Sequence, residues 1–287
     1  MYFYIFDPRG DKEIKYFDRI QGKLLNLIAE NRIDGESYRV TSIRSVELLV
    51  EQAIGANAKT IIVVGSDNTL NKTVNAVIRK EAEITLGYIP LDPDSALGGI
   101  FGMTPDIEQA VKTLAGRLVR DVNLGSLGGQ FFLSRVDLGA NGISEIEPGF
   151  WGLGGMRDFL KLEPFILKMS LDDSYVVTSE ILLGQIINCR NNEGCKLKLG
   201  DPTDKYLDIL LLNRLSSYQI FHYRRELASG CVDNVPGSTV MHARKIEILS
   251  PRKLPLSIEG QVYTKAPAII SVSKAKIKMI VGKGRQF

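Results

Sequence analysis

The stretch "IIVVGSDNTLNKTVNAVI", residues 61–78, runs from an apolar segment through a polar turn into a helical pattern. The turn is Gly65-Ser66-Asp67-Asn68-Thr69. A strand that ends in a glycine-containing turn and opens a helix is a device for holding an anion. The first N–H groups of the helix point outward, and the helix dipole adds partial positive charge. Gly65 frees the backbone to approach a phosphate closely. Asn68 is one of the few side chains that tolerate the left-handed region, which would preserve a turn there. Ser66 adds a Cβ where a ligand would approach, together with a hydroxyl. Asp67 carries the charge to orient Mg2+ or a water beside a phosphate, and Thr69 is a candidate N-cap. From these residues alone the turn is either an anion site or simply a helix start.

Other reactive side chains form no pattern. His222 and His242 have no acid–nucleophile motif around them and read as structural or exposed. There is no zinc-ligand spacing, no serine nucleophile elbow and no G-x-x-x-x-G-K-[ST] loop. Three cysteines without a C-x-x-C point to a reducing compartment. Cys189 and Cys195 flank the turn "RNNEG" and are the pair that would face each other across a hairpin. Gly149, Gly152, Gly154 and Gly155 surround the only Trp, so that Phe150 and Trp151 sit in a glycine-rich loop. With Phe159 they read either as core or as a loop meeting a membrane or lipid tail.

These residues need elements to position them. At 287 residues, with 44% hydrophobic and 24% charged, the chain can bury the cores of two ordinary domains. A net charge of +3 gives no bulk argument for nucleic acid. The last fourteen residues, "KAKIKMIVGKGRQF", hold five Lys/Arg and no acid, which fits a solvated tail or contact with an anionic membrane or phosphate. No apolar run reaches the ~18 residues of a membrane span, and the start lacks the marks of a signal peptide. A cytoplasmic protein is expected, with contact at the inner membrane surface.

Residues 1–125 alternate strand and helix: "YFYIF", then a helix with Ile14, Phe17, Leu24, Leu25 and Ile28 at helical spacing, "SYRVTSI", a helix ended by Gly55, "TIIVVG", "TLNKTVNAVIRKEA", "ITLGYIPL", and a helix opened by Thr104 and Pro105. This predicts a parallel sheet covered by helices. From about 126 to 265 short strand-like segments follow one another, with one helical stretch at "SSYQIFHYRRELASG". That predicts an antiparallel β-sandwich.

Gly65-Ser66-Asp67-Asn68-Thr69-Leu70-Asn71 resembles a degenerate Gly-Gly-Asp-Gly-Thr-Leu-Asn, the signature of the diacylglycerol kinase catalytic fold. That lipid-kinase family is related to sphingosine kinases and, more distantly, to NAD kinases. Further landmarks occur in the family's order: Asp7-Pro8-Arg9-Gly10 after the first strand, Ile89-Pro90-Leu91, "RDVNLGSLGGQFFLSRVDLGA", Asp204-Lys205-Tyr206-Leu207-Asp208 resembling Asp-Gly-x-Leu-Asp, and Glu259-Gly260-Gln261 resembling Asp-Gly-Glu. The resemblance implies a two-domain fold in which residues 266–287 return to the first domain and a nucleotide lies between the domains against Gly65–Thr69. It implies phosphoryl transfer from ATP, with Mg2+, to the hydroxyl of a lipid or other small alcohol. Asp67 and Lys72 then lie at the phosphates, and Asp204 and Asp208 are metal-linked or else turn residues before the "ILLL" strand.

The departures are concentrated at functional positions. Gln261 stands where the family has the glutamate base, and an amide accepts no proton near neutral pH. Glu259, two residues earlier, would point the same way on a strand and is the local carboxylate left for that role. Asp92-Pro93-Asp94-Ser95-Ala96 replaces Gly-Thr-x-Asn-Asp, Lys72 replaces a glutamate, and Lys205 a glycine. The alternative is a pseudokinase that binds a nucleotide, lipid or protein partner.

Overall fold

The computed structural model describes residues 1–139, 162–258 and 260–287. Phe150, Trp151, Phe159 and the glycines around them, and also Glu259, lie outside the described residues. The chain divides into two compact units, Met1–Leu124 with Lys274–Phe287, and Gly125–Ser273.

The first unit follows the order β1 (Tyr2–Asp7), α1 (Gly10–Glu30), β2 (Gly35–Arg39), α2 (Val46–Gly55), β3 (Thr60–Gly65), α3 (Asp67–Arg79), β4 (Thr85–Pro90), α4 (Ala96–Phe101) and α5 (Ile107–Gly116). The strands lie parallel in the order β2-β1-β3-β4. Every residue of β3 and β4 is buried, as expected of central parallel strands with both faces covered. The register sets Asp7 beside Gly65 and Gly65 beside Pro90, so three strand ends finish in one row. Phe17, Ile20, Leu24, Leu27 and Ile28 form the buried stripe of α1, whereas Leu25, expected inside, is exposed. Helix α5 starts at Ile107 under an Asp106 cap rather than at Thr104 and Pro105, because the Asp106 carboxylate accepts the Glu108 N–H at 2.9 Å.

The chain passes into the second unit along β5 (Val119–Leu127). It continues through β6 (Gln130–Phe132), β7 (Arg135–Leu138), β8 (Phe165–Leu171), β9 (Tyr175–Ile181), β10 (Leu183–Ile187), β11 (Leu207–Leu212), α6 (Ser217–His222), α7 (Arg224–Ser229), β12 (Ser238–Ala243), β13 (Lys245–Ser250), β14 (Pro255–Ile258), β15 (Gln261–Lys265) and β16 (Ala268–Ile280). Two antiparallel layers, β16-β13-β8-β9 and β12-β11-β10-β7-β14-β15, pack face to face around Met169, Ile186, Ile209, Leu211, Ile246, Ile248 and Leu256. Strand β11 is buried on both faces. Leu207, Ile209 and Leu211 enter the sandwich core, while Leu210 and Leu212 meet Leu215, Ile220, Leu227 and Val232 on the other side. In the first unit the end of β16 lies parallel to β4, with Lys278 beside Thr85.

The cysteines differ from expectation. Cys195 is bonded to Cys231, and Cys189 is a buried thiol whose Sγ donates to the Leu133 carbonyl. The "RNNEG" stretch is no hairpin, because β10 ends at Ile187 and the next strand begins at Leu207. Instead the loop folds back through Arg190, which pairs with buried Asp233 at 2.8 Å. Among the described residues, no helix is long and apolar enough to cross a membrane.

Candidate functional site

The row of strand ends in the first unit carries the Gly65–Thr69 stretch. Gly65 is not left-handed; its lack of a side chain serves the strand pairing. A Cβ there would lie 3.0 Å from the Asp7 carbonyl oxygen. Ser66, not Thr69, is the N-cap: its extended backbone turns the chain, and its Oγ accepts the Thr69 N–H at 3.3 Å. Asn68 is already helical, so no left-handed residue is needed and the turn is a single residue long. Two serine/threonine hydroxyls within three residues are equivalent caps in sequence; the entry angle of the chain selects between them. The N–H groups of Asp67 and Asn68 have no intrahelical acceptor and stand at the positive end of a 13-residue helix.

Asp67 does not present a free carboxylate. Its Oδ1 accepts from the Tyr88 hydroxyl at 2.8 Å and the Ser95 hydroxyl at 2.5 Å, and its Oδ2 accepts from the Leu97 N–H at 3.1 Å. Ser95 in turn caps α4 by accepting the Gly98 N–H at 2.8 Å. One acid therefore ties the start of α3 to the start of α4. Burial first, and then the negative charge of Asp67, push the Tyr88 phenol well above its ordinary range, so it stays protonated as a donor.

A second acid braces the other side. Asp7 is buried, and its Oδ2 accepts from the Thr69 hydroxyl at 2.6 Å and from Arg9 Nε at 2.8 Å. The Arg9 side chain is 42% exposed, so a cation stands at the surface beside the helix start. Glu13 accepts the Arg9 N–H at 2.7 Å, and burial, with Asp92 and Asp7 nearby, raises its carboxyl. Asp92 bends its own loop by accepting the Asp94 N–H at 2.9 Å. Lys72 acts electrostatically on Glu47 of α2. Burial alone would raise the Glu47 carboxyl, but the Ser45 hydroxyl, a backbone N–H, Lys72 and Arg79 bring it below its ordinary value. Asn71, one turn beyond Asp67, is buried, and its Oδ1 has no hydrogen-bond partner.

In the second unit Asp208 is a strand residue, not a turn residue. Its Oδ2 accepts the Gly200 N–H at 2.6 Å and its Oδ1 bonds His242 Nδ1 at 2.5 Å. Nothing local to either residue signals this pair, because His242 comes opposite Asp208 only through the register of β12 on β11. Asp204 accepts the Tyr206 N–H at 2.8 Å, and burial, then Asp201 and Asp208, raise its carboxyl. Between them Lys205 is left-handed, with φ +64, which is why a glycine suits this position. Among the described residues, no group of three His, Cys, Asp or Glu is arranged to hold a metal ion. Gln261 is exposed and stands directly across from Ile258. Strands β14 and β15 are thus the two arms of a hairpin; Glu259 lies outside the described residues.

This arrangement can be compared with known proteins. The family model for the diacylglycerol kinase catalytic domain matches residues 3–127. A diacylglycerol kinase of Staphylococcus carnosus is 21% identical over 294 residues, covering 97% of this chain and 94% of the relative. One of Staphylococcus aureus is 22% identical over 279 residues, covering 92% and 87%. The crystal structure of a diacylglycerol kinase from Bacillus anthracis shares the fold, with a TM-score of 0.74 at 17% identity over 98% of this chain and 97% of the other. The chain is thus similar to the diacylglycerol kinase catalytic domain over residues 3–127, where the family's Gly-Gly-Asp-Gly-Thr reads Gly65-Ser66-Asp67-Asn68-Thr69.

Proposed function

We propose that this chain is a diacylglycerol-kinase-like lipid kinase that uses ATP to phosphorylate the hydroxyl of a membrane lipid. The observation that carries the reading is the start of α3. It leaves the Asp67 and Asn68 N–H groups open to an anion inside the stretch that matches the family model. ATP held there supplies the phosphoryl group. The Asp67 and Asn68 N–H groups hold phosphate oxygens, Arg9 adds positive charge from its seat on Asp7, and Asn71 Oδ1 offers a buried acceptor. The Asp67 carboxylate acts as a positioning group that fixes both helix starts. Mg2+ would enter with the phosphates of ATP, since three donors already occupy the Asp67 carboxylate. With Gln261 at the base position, turnover should be slower by about 10²- to 10⁴-fold than with a carboxylate.

A second reading, a nucleotide- or lipid-binding pseudokinase, is favoured by one observation: Asp67 is occupied while Gln261 carries no charge. The test is phosphorylation of diacylglycerol in mixed micelles by the wild type and by Gln261→Glu. A gain of at least about 100-fold in the variant supports the kinase reading. Nucleotide binding without lipid phosphorylation in either protein would establish the pseudokinase instead.

A further inference from the structure

The segment after β11 holds two aromatic side chains outside the protein on a frame that is itself firmly seated. Leu215, Ile220 and Leu227 are buried against the outer face of β10 and β11. A reciprocal cap fixes the start of α6: the Gln219 N–H donates to Ser216 Oγ at 3.2 Å and the Ser216 N–H donates to Gln219 Oε1 at 2.9 Å. With that face turned inward, Tyr218 is 74% exposed and Phe221 53% exposed, three residues apart and therefore on one side of the helix. The rings are not isolated. Tyr218 stacks on His222 with centroids 5.9 Å apart, and the Arg224 guanidinium lies 4.7 Å from the Phe221 centroid. Between Asn213 and Arg225 there are three arginines and no acid. Arg214 and Arg225 are exposed and enter no ion pair among the described residues.

Aromatic rings that would sit at the depth of lipid headgroups, within a rim of uncommitted guanidinium groups, match an anionic bilayer in both polarity and charge. We infer that α6, through Tyr218 and Phe221 with Arg214 and Arg225, docks the second unit on an anionic phospholipid surface. The choice of a bilayer as partner rests on the lipid-substrate reading above; the exposed cationic and aromatic surface itself does not.

The test is co-sedimentation of the full chain, without nucleotide, with vesicles of phosphatidylglycerol and phosphatidylcholine and with vesicles of phosphatidylcholine alone. Binding should require the anionic lipid and weaken as salt rises. Arg214→Gln and Arg225→Gln should each weaken it about fivefold. Tyr218→Ser combined with Phe221→Ser should weaken it at least about tenfold, with thermal melting unchanged. Wild-type affinity in these variants, or no preference for anionic vesicles, would overturn the inference. So would self-association in sedimentation that these variants abolish without any vesicle binding. Phosphorylation of a short-chain, monomeric diacylglycerol separates the two claims. Vesicle binding with no phosphorylation removes the kinase reading and leaves the docking surface, whereas phosphorylation without vesicle binding does the reverse.

Discussion

Asp67 at the start of α3 and Asp208 on β11 both lie in stretches that resemble the family's motifs, and both are bonded into the scaffold. They differ in what surrounds them. Asp67 is held by three neutral donors, from Tyr88, Ser95 and the Leu97 backbone, beside two N–H groups that remain available to a ligand. Asp208 is held by the Gly200 N–H and by His242, whose side chain is largely exposed, on a strand that offers no helix end. The first site leaves backbone N–H groups open and commits its side chain to the scaffold. The second has only a side-chain clip. An acid within a motif can therefore serve to hold elements together.

The comparison is sharpened most by a third carboxylate, one with a true ionic partner. Asp233 is buried against Arg190, which also donates to Asn192 and to the Leu197 carbonyl. Arg190→Met should cost about 3–5 kcal/mol in urea unfolding, more than either motif acid, because it strands a buried charge. The same pair sets an acid dependence. Burial alone would raise the Asp233 carboxyl, but Arg190 and the Leu197 N–H bring it below its ordinary 3.8. A folded value below the unfolded one gives a contribution that is complete above the unfolded value and lost as pH falls through the folded one. Acid unfolding should lose that component in Arg190→Met; an unchanged acid limb would contradict the assignment.

Next in size, Asp67→Ala should cost about 2–4 kcal/mol, since three donors lose their acceptor, while Asp208→Ala, with two donors, should cost about 1–3 kcal/mol. Equal losses, or a larger one at Asp208, would break the contrast. The smallest effect is at Lys205. Relieving its left-handed backbone with Lys205→Gly should raise stability by about 0.5–1 kcal/mol.

What could be read in the sequence follows the range of the interactions. Ile61–Val64 announced a central parallel strand, and the crowding of short strands after Asp121 announced the antiparallel sandwich, because periodicity and strand length are local properties. The start of α3 was placed within three residues, but its cap was not, since Ser66 and Thr69 have the same chemistry. The Asp67–Ser95, Asp208–His242 and Cys195–Cys231 contacts span 28, 34 and 36 residues and arise only from sheet order and loop path. Lys205 shows the reverse case: a lysine where the motif has glycine, in the left-handed backbone that glycine favours.

The central claim is that the start of α3 binds phosphate although the side chains around it are bonded into the scaffold. Calorimetric titration of Mg-ATP into the purified chain, with ADP and metal-free ATP as controls, tests it most directly. The account predicts saturable binding of ATP that is stronger than that of ADP. No binding at millimolar nucleotide would contradict it and leave Gly65–Thr69 as no more than the start of a helix.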